Sequence, residues 1–319
     1  GKGRMGWAAL GYKGDPSLPP VTRAITALGP AYVKFGQILS TRPDVVGVEL
    51  ANQLSMLQDR LPPFPTEIAC QTIEASLGQP VPVLFSDFSE PVAAASIAQV
   101  HRARRADNRQ EVAVKVLRPG IEGAFRRDID AFHFAASMIE RLSPATRRLR
   151  PRDVVGHFES VVNGELDLRL EAASASEFAE NTAGDAGMAV PRPHWHLSAR
   201  RVLTTDWAEG IAMSDIAALR AAGHDLQLIG TRVLQLFLRH ALRDGYFHAD
   251  MHQGNLKVAA NGDIVIYDFG IMGEIDEYTR RIYAEILMGF IRRDYDRVAR
   301  VHFEAGYVPR DRDMQEFAR

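Results

Sequence analysis

The stretch His248–Gly270, "HADMHQGNLKVAANGDIVIYDFG", decides how the whole chain is read. Its middle, Asn261-Gly262, is a hairpin signal between two short apolar runs, because Asn-Gly accepts the positive φ values of a tight turn. Before the hairpin stands the spacing HxDxxxxN, with Asp250 and Asn255 five apart; after it, Asp268 in "YDFG" follows thirteen residues beyond Asn255. Asn255 and Asp268 offer an amide and a carboxylate oxygen, hard donors that suit magnesium, which retains waters and takes other ligands from phosphates. Asp250 is then placed to accept a proton or orient a nucleophile. Phosphoryl transfer from ATP uses these side chains, together with a strand lysine that holds the phosphates.

That lysine is found upstream. "EVAVKV", 111–116, alternates as a strand does and carries Lys115. Lysine is rare in this arginine-rich chain, occurring only at Lys2, Lys13, Lys34, Lys115 and Lys257. A lysine kept among arginines supplies a compact ammonium that a guanidinium does not imitate. A lone strand lysine more often snorkels, and a lone DFG is a common turn; the ordered set is what carries the argument. A rival reading makes His248, Asp250 and His252 a zinc or iron site, with His240 the nearest further ligand in sequence. Magnesium and nucleotide account better for Asn255 and Asp268.

The totals set bounds. A chain of 319 residues fits one large domain or two lobes, and an apolar fraction of 46% is ample for a core. A net charge of −2 gives no global case for nucleic acid. The single cysteine, Cys70, excludes an internal disulfide, fits a reducing compartment and reads as a small buried apolar residue. No window approaches the roughly 20 apolar residues that span a bilayer. The start at Gly1 without methionine and the end at Arg319 in a helix-like run are those expected of a soluble fragment of a longer protein.

Residues 1–20 read as irregular, followed by helices near 21–28, 30–41, 47–58 and 66–77, with Pro62, Pro63 and Pro65 marking a turn. Residues 85–117 read as strand, hairpin and strand around the turn "ADN". A helix over 119–142 and a basic connector with Arg147, Arg148, Arg150 and Arg152 come next, then a long helix over 153–182. The connector reads as solvated, with anionic lipid headgroups the alternative. Strands return near 188–192 and 201–205, and an amphipathic helix ends at Gly245.

Other stretches hold candidate site residues. Where protein kinases carry a glycine-rich loop between their first strands, this chain has "PVAAASIAQVHRA". Ala93, Ala94, Ala95 and Ser96 would grip phosphates differently from glycines; the bland reading is a strand edge of small residues. In "GELDLRLEAASASEF", Asp167 and Glu171 lie four apart on a helix and Glu171 suits a pair with Lys115, while Glu165 lies part of a turn away from Asp167. A solvated acidic face is the alternative. "TTDWAEG", 204–210, occupies the place of an interlobe segment whose backbone would meet adenine, with Asp206 and Trp207 as neighbours or packing residues. In "AYVKFGQILSTRPD", 31–44, Lys34, Gln37 and Thr41 share one helix face, and Ala31, Phe35, Ile38 and Leu39 the other. Gly36 costs that helix about 1 kcal/mol relative to alanine, which is reasonable where another backbone approaches closely.

Lys34-Phe35-Gly36-Gln37 with "STRPD" behind it, "AAAS", Lys115, Glu165-Leu166-Asp167 with Glu171, "HADMHQGN" and "DFG" together resemble the UbiB family of atypical protein-kinase-like ATPases linked to coenzyme Q biosynthesis. The matches run from residue 34 to 270. One departure is Met251 and Gln253, where the family usually has prolines around the second histidine. The resemblance implies an α+β, two-lobed protein-kinase-like fold with an N-terminal helical extension packed over the active site. It implies an extension over 1–84 with the KxGQ motif, an N-lobe with inserted helices and the ExD motif over 85–207, and a truncated C-lobe over 208–319. Lys34, with Gln37, would reach toward the nucleotide and the Glu165/Asp167 pair, and the helix would bar peptide substrates. ATP and Mg2+ are the implied cofactors, a lipid or quinone precursor and a membrane surface the implied partners, and the cytoplasmic face of a bacterial inner membrane the implied location. Two other functions compete. A small-molecule kinase of the aminoglycoside or choline type shares HxDxxxxN but lacks the KxGQ and ExD pair. A pseudokinase scaffold would bind nucleotide without hydrolysis.

Overall fold

A computed structural model describes residues 18–57, 62–142, 149–309 and 311–317. Lys2, Lys13, Arg147, Arg148 and most of the stretch read as irregular, 1–20, lie outside the described residues. The chain forms two compact units, Gly1–Ala172 with Pro193–Trp207, and Ala173–Arg192 with Ala208–Arg319.

The first unit opens with helices α1 (Pro20–Leu28) and α2 (Pro30–Ser40), each entered through proline, whose fixed φ suits a first turn. Short α3 (Pro43–Val46) and α4 (Val48–Leu54) follow, then α5 (Thr66–Leu77) and α6 (Val81–Leu84). The strands are β1 (Phe85–Ser86), β2 (Pro91–Ala94), β3 (Ala98–Arg105), β4 (Glu111–Leu117) and β6 (Val202–Asp206). They make an antiparallel sheet in the order β1-β3-β4-β6, with β2 also on β3. In β4 the period of two turns Val112, Val114 and Val116 into a cluster with Ala69 and Ile73 of α5. Lys115 therefore belongs to the opposite face, between Val100 and Leu203 on the neighbouring strands.

Helices α7 (Ile121–Leu142) and α8 (Pro151–Glu165) bury Ile121, Phe125, Ile129, Phe158 and Val162 in a second cluster. The extension joins that cluster through Ala31, Phe35 and Ile38. Phe35 stacks on Phe132 of α7 at 4.7 Å and meets Phe158 of α8 edge-on at 5.0 Å. The other side of α2 packs Val33 and Leu39 with Leu54 and Leu57, so this helix is apolar on two faces.

The continuous helix expected over 153–182 is broken. α8 ends at Glu165, and α9 (Leu168–Asn181) starts after a two-residue interruption. Leu166 and Leu168 are both buried, and the Leu168 N–H donates to the Arg200 carbonyl at 2.9 Å rather than continuing the helix ladder. Asp167 thus precedes α9 instead of lying within a helix one turn from Glu171.

The second unit contains β5 (Met188–Ala189), β7 (Ile211–Ala212), β9 (Leu256–Val258) and β10 (Ile264–Ile266) in the order β5-β10-β9-β7, plus the pair β8 (Tyr246–His248) and β11 (Met272–Glu274). β9 and β10 pair antiparallel around the Asn261-Gly262 turn, where Gly262 has φ +84°; β5 is shorter than the strand read over 188–192. α10 (Ile216–Ala221) precedes α11 (Leu226–Arg239), which is capped by the Asp225 carboxylate. Residues 240–244 then form one π-helical turn that stops at left-handed Gly245, a widening that residue spacing does not announce. α12 (Glu277–Arg292), α13 (Tyr295–Glu304) and α14 (Met314–Phe317) complete the chain. Ile264, Ile266, Leu256, Val258, Leu236 and Phe178 are core residues of this unit. No helix among the described residues is long and apolar enough to cross a membrane.

Gly210 shows how tightly the second unit is built. Its φ is +122°, and a Cβ there would lie 2.5 Å from the main-chain oxygen of Val258. Gly210→Ala therefore meets both backbone strain and a contact that no rotamer relieves, and a loss of at least about 2 kcal/mol is expected. Urea unfolding at constant m-value reads it, and an unchanged midpoint contradicts this packing.

Candidate functional site

Lys115 leaves β4 on the face away from the valines, and its ammonium donates to both carboxylate oxygens of Glu171, at 2.9 and 2.8 Å. Glu171 is in the first turn of α9, where a carboxylate is favoured by the exposed amides. The side chains are only 20% and 11% exposed, so this is a partly desolvated two-pronged pair rather than a surface contact.

Lys34 does for Glu165 what Lys115 does for Glu171. Its Nζ lies 2.7 Å from Glu165 Oε1, with side-chain exposures of 14% and 9%. Glu165 closes α8, so the ammonium also sits at the carbonyl end of that helix, where a cation is stabilised. Asp167, the other member of the acidic pair, is joined instead to Arg169, at 2.9 and 2.6 Å. The hydrogen bond from Arg169 holds the Asp167 carboxyl below the usual aspartate range. The break between α8 and α9 thus sends two carboxylates that are two residues apart in sequence to different cations.

Gly36 and Gln37 also differ from expectation. The group crowding Gly36 is not another backbone but the Leu57 side chain, whose Cδ1 lies 2.4 Å from where a Cβ would be, with Leu54 Cδ2 at 3.4 Å. Gln37 Nε2 donates to the Leu57 carbonyl at 3.4 Å. Both residues of the motif therefore grip the segment just after α4, and Thr41 turns its hydroxyl to the Ile38 carbonyl.

Ala93 and Ala94 pair with Val100 and Gln99 across a bulge, and the Ala95 N–H to Ala98 carbonyl bond of 2.8 Å closes the turn. None of residues 91–98 is among those with positive φ, so the turn asks nothing of its alanines that only glycine could give. Ser96 is 1% exposed, and among the described residues its hydroxyl has no hydrogen-bond partner. A buried hydroxyl left so costs about 1–3 kcal/mol, which water or a ligand oxygen would relieve. Asp206 Oδ1 accepts from Gln110 at 2.7 Å and lies 2.9 Å from His194 Nε2; the Arg102 guanidinium covers Trp207 at 4.9 Å. Arg150 and Arg152 of the basic connector are paired with Asp153 and Glu140.

In the second unit one imidazole organises the motif segments. His248 is 2% exposed in β8; its Nε2 lies 2.8 Å from the Asp268 carbonyl, and its Nδ1 accepts the Asp250 N–H at 3.2 Å. The ring is thereby the neutral tautomer protonated at Nε2, since a carbonyl only accepts. The Asp250 carbonyl in turn accepts the Asn255 Nδ2–H at 3.0 Å. Asp250 is held at both its N–H and its C=O while its carboxylate remains 48% exposed, 3.6 Å from His252. Because the Asn255 nitrogen is committed to that bond, its oxygen is the atom suited to a cation. Asp268 adopts φ +66°, a left-handed conformation that aspartate tolerates better than most residues, and the next residue, Phe269, is buried against His248 and Phe178.

The rival histidine site does not form. His248 spends both nitrogens on main chain, and His252 Nδ1 accepts the Gly254 N–H at 2.9 Å. Among the described residues the acid–histidine group that could gather on an ion is Asp185, His240 and Asp244. There Arg243 already binds both Asp185 oxygens, at 2.7 and 2.9 Å, and also Asp244, supplying the positive charge an ion would bring. Met251, where the resembled family has proline, packs on the second unit's core.

A family model of the ABC1 atypical kinase-like domain matches residues 56–302. The chain belongs to the ABC1 atypical kinase-like family. This is the domain of UbiB family proteins, so the resemblance read from the motifs and the matched family agree, and the mixed helix-and-sheet fold is kinase-like. A solved structure described as the Rv3197–erythromycin complex from Mycobacterium tuberculosis is similar with a TM-score of 0.67 at 28% identity, over 89% of this chain and 71% of that one. Within the ABC1 frame, the role that spacing alone missed is that of His248 as a backbone bridge, while Ser96, already a candidate of the alanine turn, proves to be a buried hydroxyl. The alternation of His248 with Asp250 was the available signal for the first; burial of a turn serine has none in the sequence.

The Lys34–Glu165 pair makes a measurable claim. Lys34→Met removes the partner of a carboxylate that is 9% exposed, and an expected loss of about 3 kcal/mol follows from breaking such a pair. Lys34→Met/Glu165→Met recovers most of it. A double-mutant cycle in urea with no coupling between the two positions would refute the pairing.

Proposed function

We propose that this chain binds ATP with magnesium and hydrolyses it, as an atypical kinase-like enzyme that supports coenzyme Q biosynthesis at a membrane. The two-pronged Lys115–Glu171 pair, at 2.8–2.9 Å, carries the reading. A strand lysine oriented by a helix glutamate is what presents an ammonium to phosphate oxygens in kinases.

The donor set of the second unit fits magnesium. Asn255 offers an amide oxygen whose partner nitrogen is already engaged, and Asp268 a carboxylate, both hard ligands. Magnesium, when bound there, would neutralise charge on the phosphates. His248 keeps Asp250 and Asp268 in fixed main-chain register through its two ring nitrogens. Asp250, rigid in its backbone and open at its carboxylate, orients the attacking water. Ser96 and the alanine turn give the phosphate side a donor without glycine flexibility. Asp206 and Trp207 border the adenine, and Lys34, with Gln37, Glu165 and Asp167, belongs to a cover that disfavours peptide acceptors. A phenolic quinone precursor or another lipid-like molecule is the partner this reading favours, met at the cytoplasmic face of a bacterial inner membrane.

Asp268→Asn tests the assignment. It keeps size but removes the charge and replaces one acceptor oxygen by a donor, so magnesium-dependent ATP hydrolysis is expected to fall by at least about a hundredfold, on the scale of an electrostatic ligand. The assay is run with and without liposomes and a phenolic quinone precursor. Unchanged turnover in Asp268→Asn defeats the reading. Transfer of the labelled γ-phosphate to a small alcohol, or tight Mg-ATP binding with no hydrolysis under any condition, replaces it with a small-molecule kinase or a pseudokinase scaffold.

A further inference from the structure

Arg118 follows β4 directly, and its N–H donates to the Ile97 carbonyl at 2.8 Å, which sets it beside the alanine turn. Its guanidinium then bridges two separate pieces of chain. Nε donates to the Ala95 carbonyl at 2.9 Å, and Nη2 donates to the Pro62 carbonyl at 2.8 Å. The guanidinium carbon stands 5.7 Å from the Phe64 ring centre. The linker that Pro62 and Phe64 belong to, between the extension helices and α5, is held a second time by Gln99 of β3. The Gln99 Oε1 accepts the Phe64 N–H at 2.9 Å, and its Nε2 donates to the Phe64 carbonyl at 3.2 Å. Gln99 is 1% exposed, and its Nε2 also lies 2.9 Å from His101 Nε2, so the clamp is anchored on a buried side chain.

We propose that Arg118 is a positioning residue for nucleotide binding, locking the alanine turn to the proline linker so that the turn presents one fixed conformation. This rests on the reading of the chain as an ATP binder. The physical case lies in the shape of the group. A planar guanidinium offers two donors in a rigid fork, and here they reach carbonyls on two segments; an ammonium is a point donor and cannot reproduce that span. In glycine-rich loops flexibility lets the backbone mould to phosphates. The alanine turn has no residue with positive φ. It therefore depends on being held in shape beforehand. Pinning the Ala95 carbonyl fixes the peptide that leads into Ser96, whose buried hydroxyl lacks a partner among the described residues. Through Pro62 the same arginine couples the turn to the chain that carries the KxGQ helix, and so ties the extension to nucleotide affinity without touching nucleotide itself.

Two measurements on the full chain test this, using Arg118→Met and Arg118→Lys, with circular dichroism to confirm folding. Amide hydrogen exchange without nucleotide reports on the turn directly. Peptides covering 91–98 are expected to exchange about tenfold faster in Arg118→Met, the scale of one lost charge-assisted hydrogen bond. Titration with a fluorescent ATP analogue and magnesium is expected to show Kd about tenfold weaker in Arg118→Met, and an intermediate value in Arg118→Lys, with kcat at saturating nucleotide nearly unchanged. Should Arg118→Met not fold, Arg118→Lys decides by the same two readouts. Exchange over 91–98 equal to wild type overturns the proposal. So does faster exchange with unaltered affinity, or a fall in kcat alone. An unaltered chain that binds no Mg-ATP overturns the nucleotide reading first, which separates that failure from this one.

Discussion

A half-buried lysine in a β-strand has to meet a carboxylate, and the first unit is arranged around that requirement. Alternation in β4 sends Val112, Val114 and Val116 to the apolar side and leaves Lys115 on the other. Glu171 can answer it only because α9 starts afresh at Leu168, anchored by the Arg200 carbonyl. The same break ends α8 at Glu165, which then accepts Lys34 from the extension. One interruption of a helix thus serves two ion pairs, each partly desolvated, so that losing one member is costly. The aromatic contacts of Phe35 with Phe132 and Phe158 keep α2 where Lys34 can reach.

The second unit solves a different problem, that of holding two acidic residues in fixed main-chain register. A neutral imidazole does this through main chain alone. His248 bonds the Asp250 N–H and the Asp268 carbonyl, while Asn255 takes the Asp250 carbonyl. The Asp250 carboxylate stays half exposed, and the rigidity comes from a buried ring packed on Phe269. Clusters elsewhere in the unit contrast with this. Asp185 is satisfied by Arg243 and sits by a buried His240 whose protonation is disfavoured by desolvation. That arrangement is a closed charge balance rather than an open donor set.

The KxGQ stretch illustrates where inference from residues falls short. The cost of a helical glycine correctly signalled a close approach at Gly36, but the neighbour is a leucine side chain and not a backbone. A side-chain tip can shift, so the constraint at Gly36 is softer than at Gly210, where the opposing atom is a main-chain oxygen. Likewise the i, i+4 spacing of Asp167 and Glu171 assumed an unbroken helix, and the break removed the shared face on which that reading stood.

Sequence by itself determined most of the elements, though not the break after Glu165, together with the strand lysine, the hairpin at Asn261-Gly262 and the family, because periodicity, turn chemistry and motif order are written in the chain. It also implied that Lys34 would seek an acidic partner. Only the tertiary structure decided which one, giving Glu165 to Lys34 and Asp167 to Arg169. It likewise decided that His248 is a bridge rather than a ligand, and that Arg118 fastens the alanine turn. The reason is physical: a charged or polar side chain is satisfied by whichever group reaches it first in three dimensions. That geometry is set by helix breaks and packing, which leave no fixed spacing in the sequence.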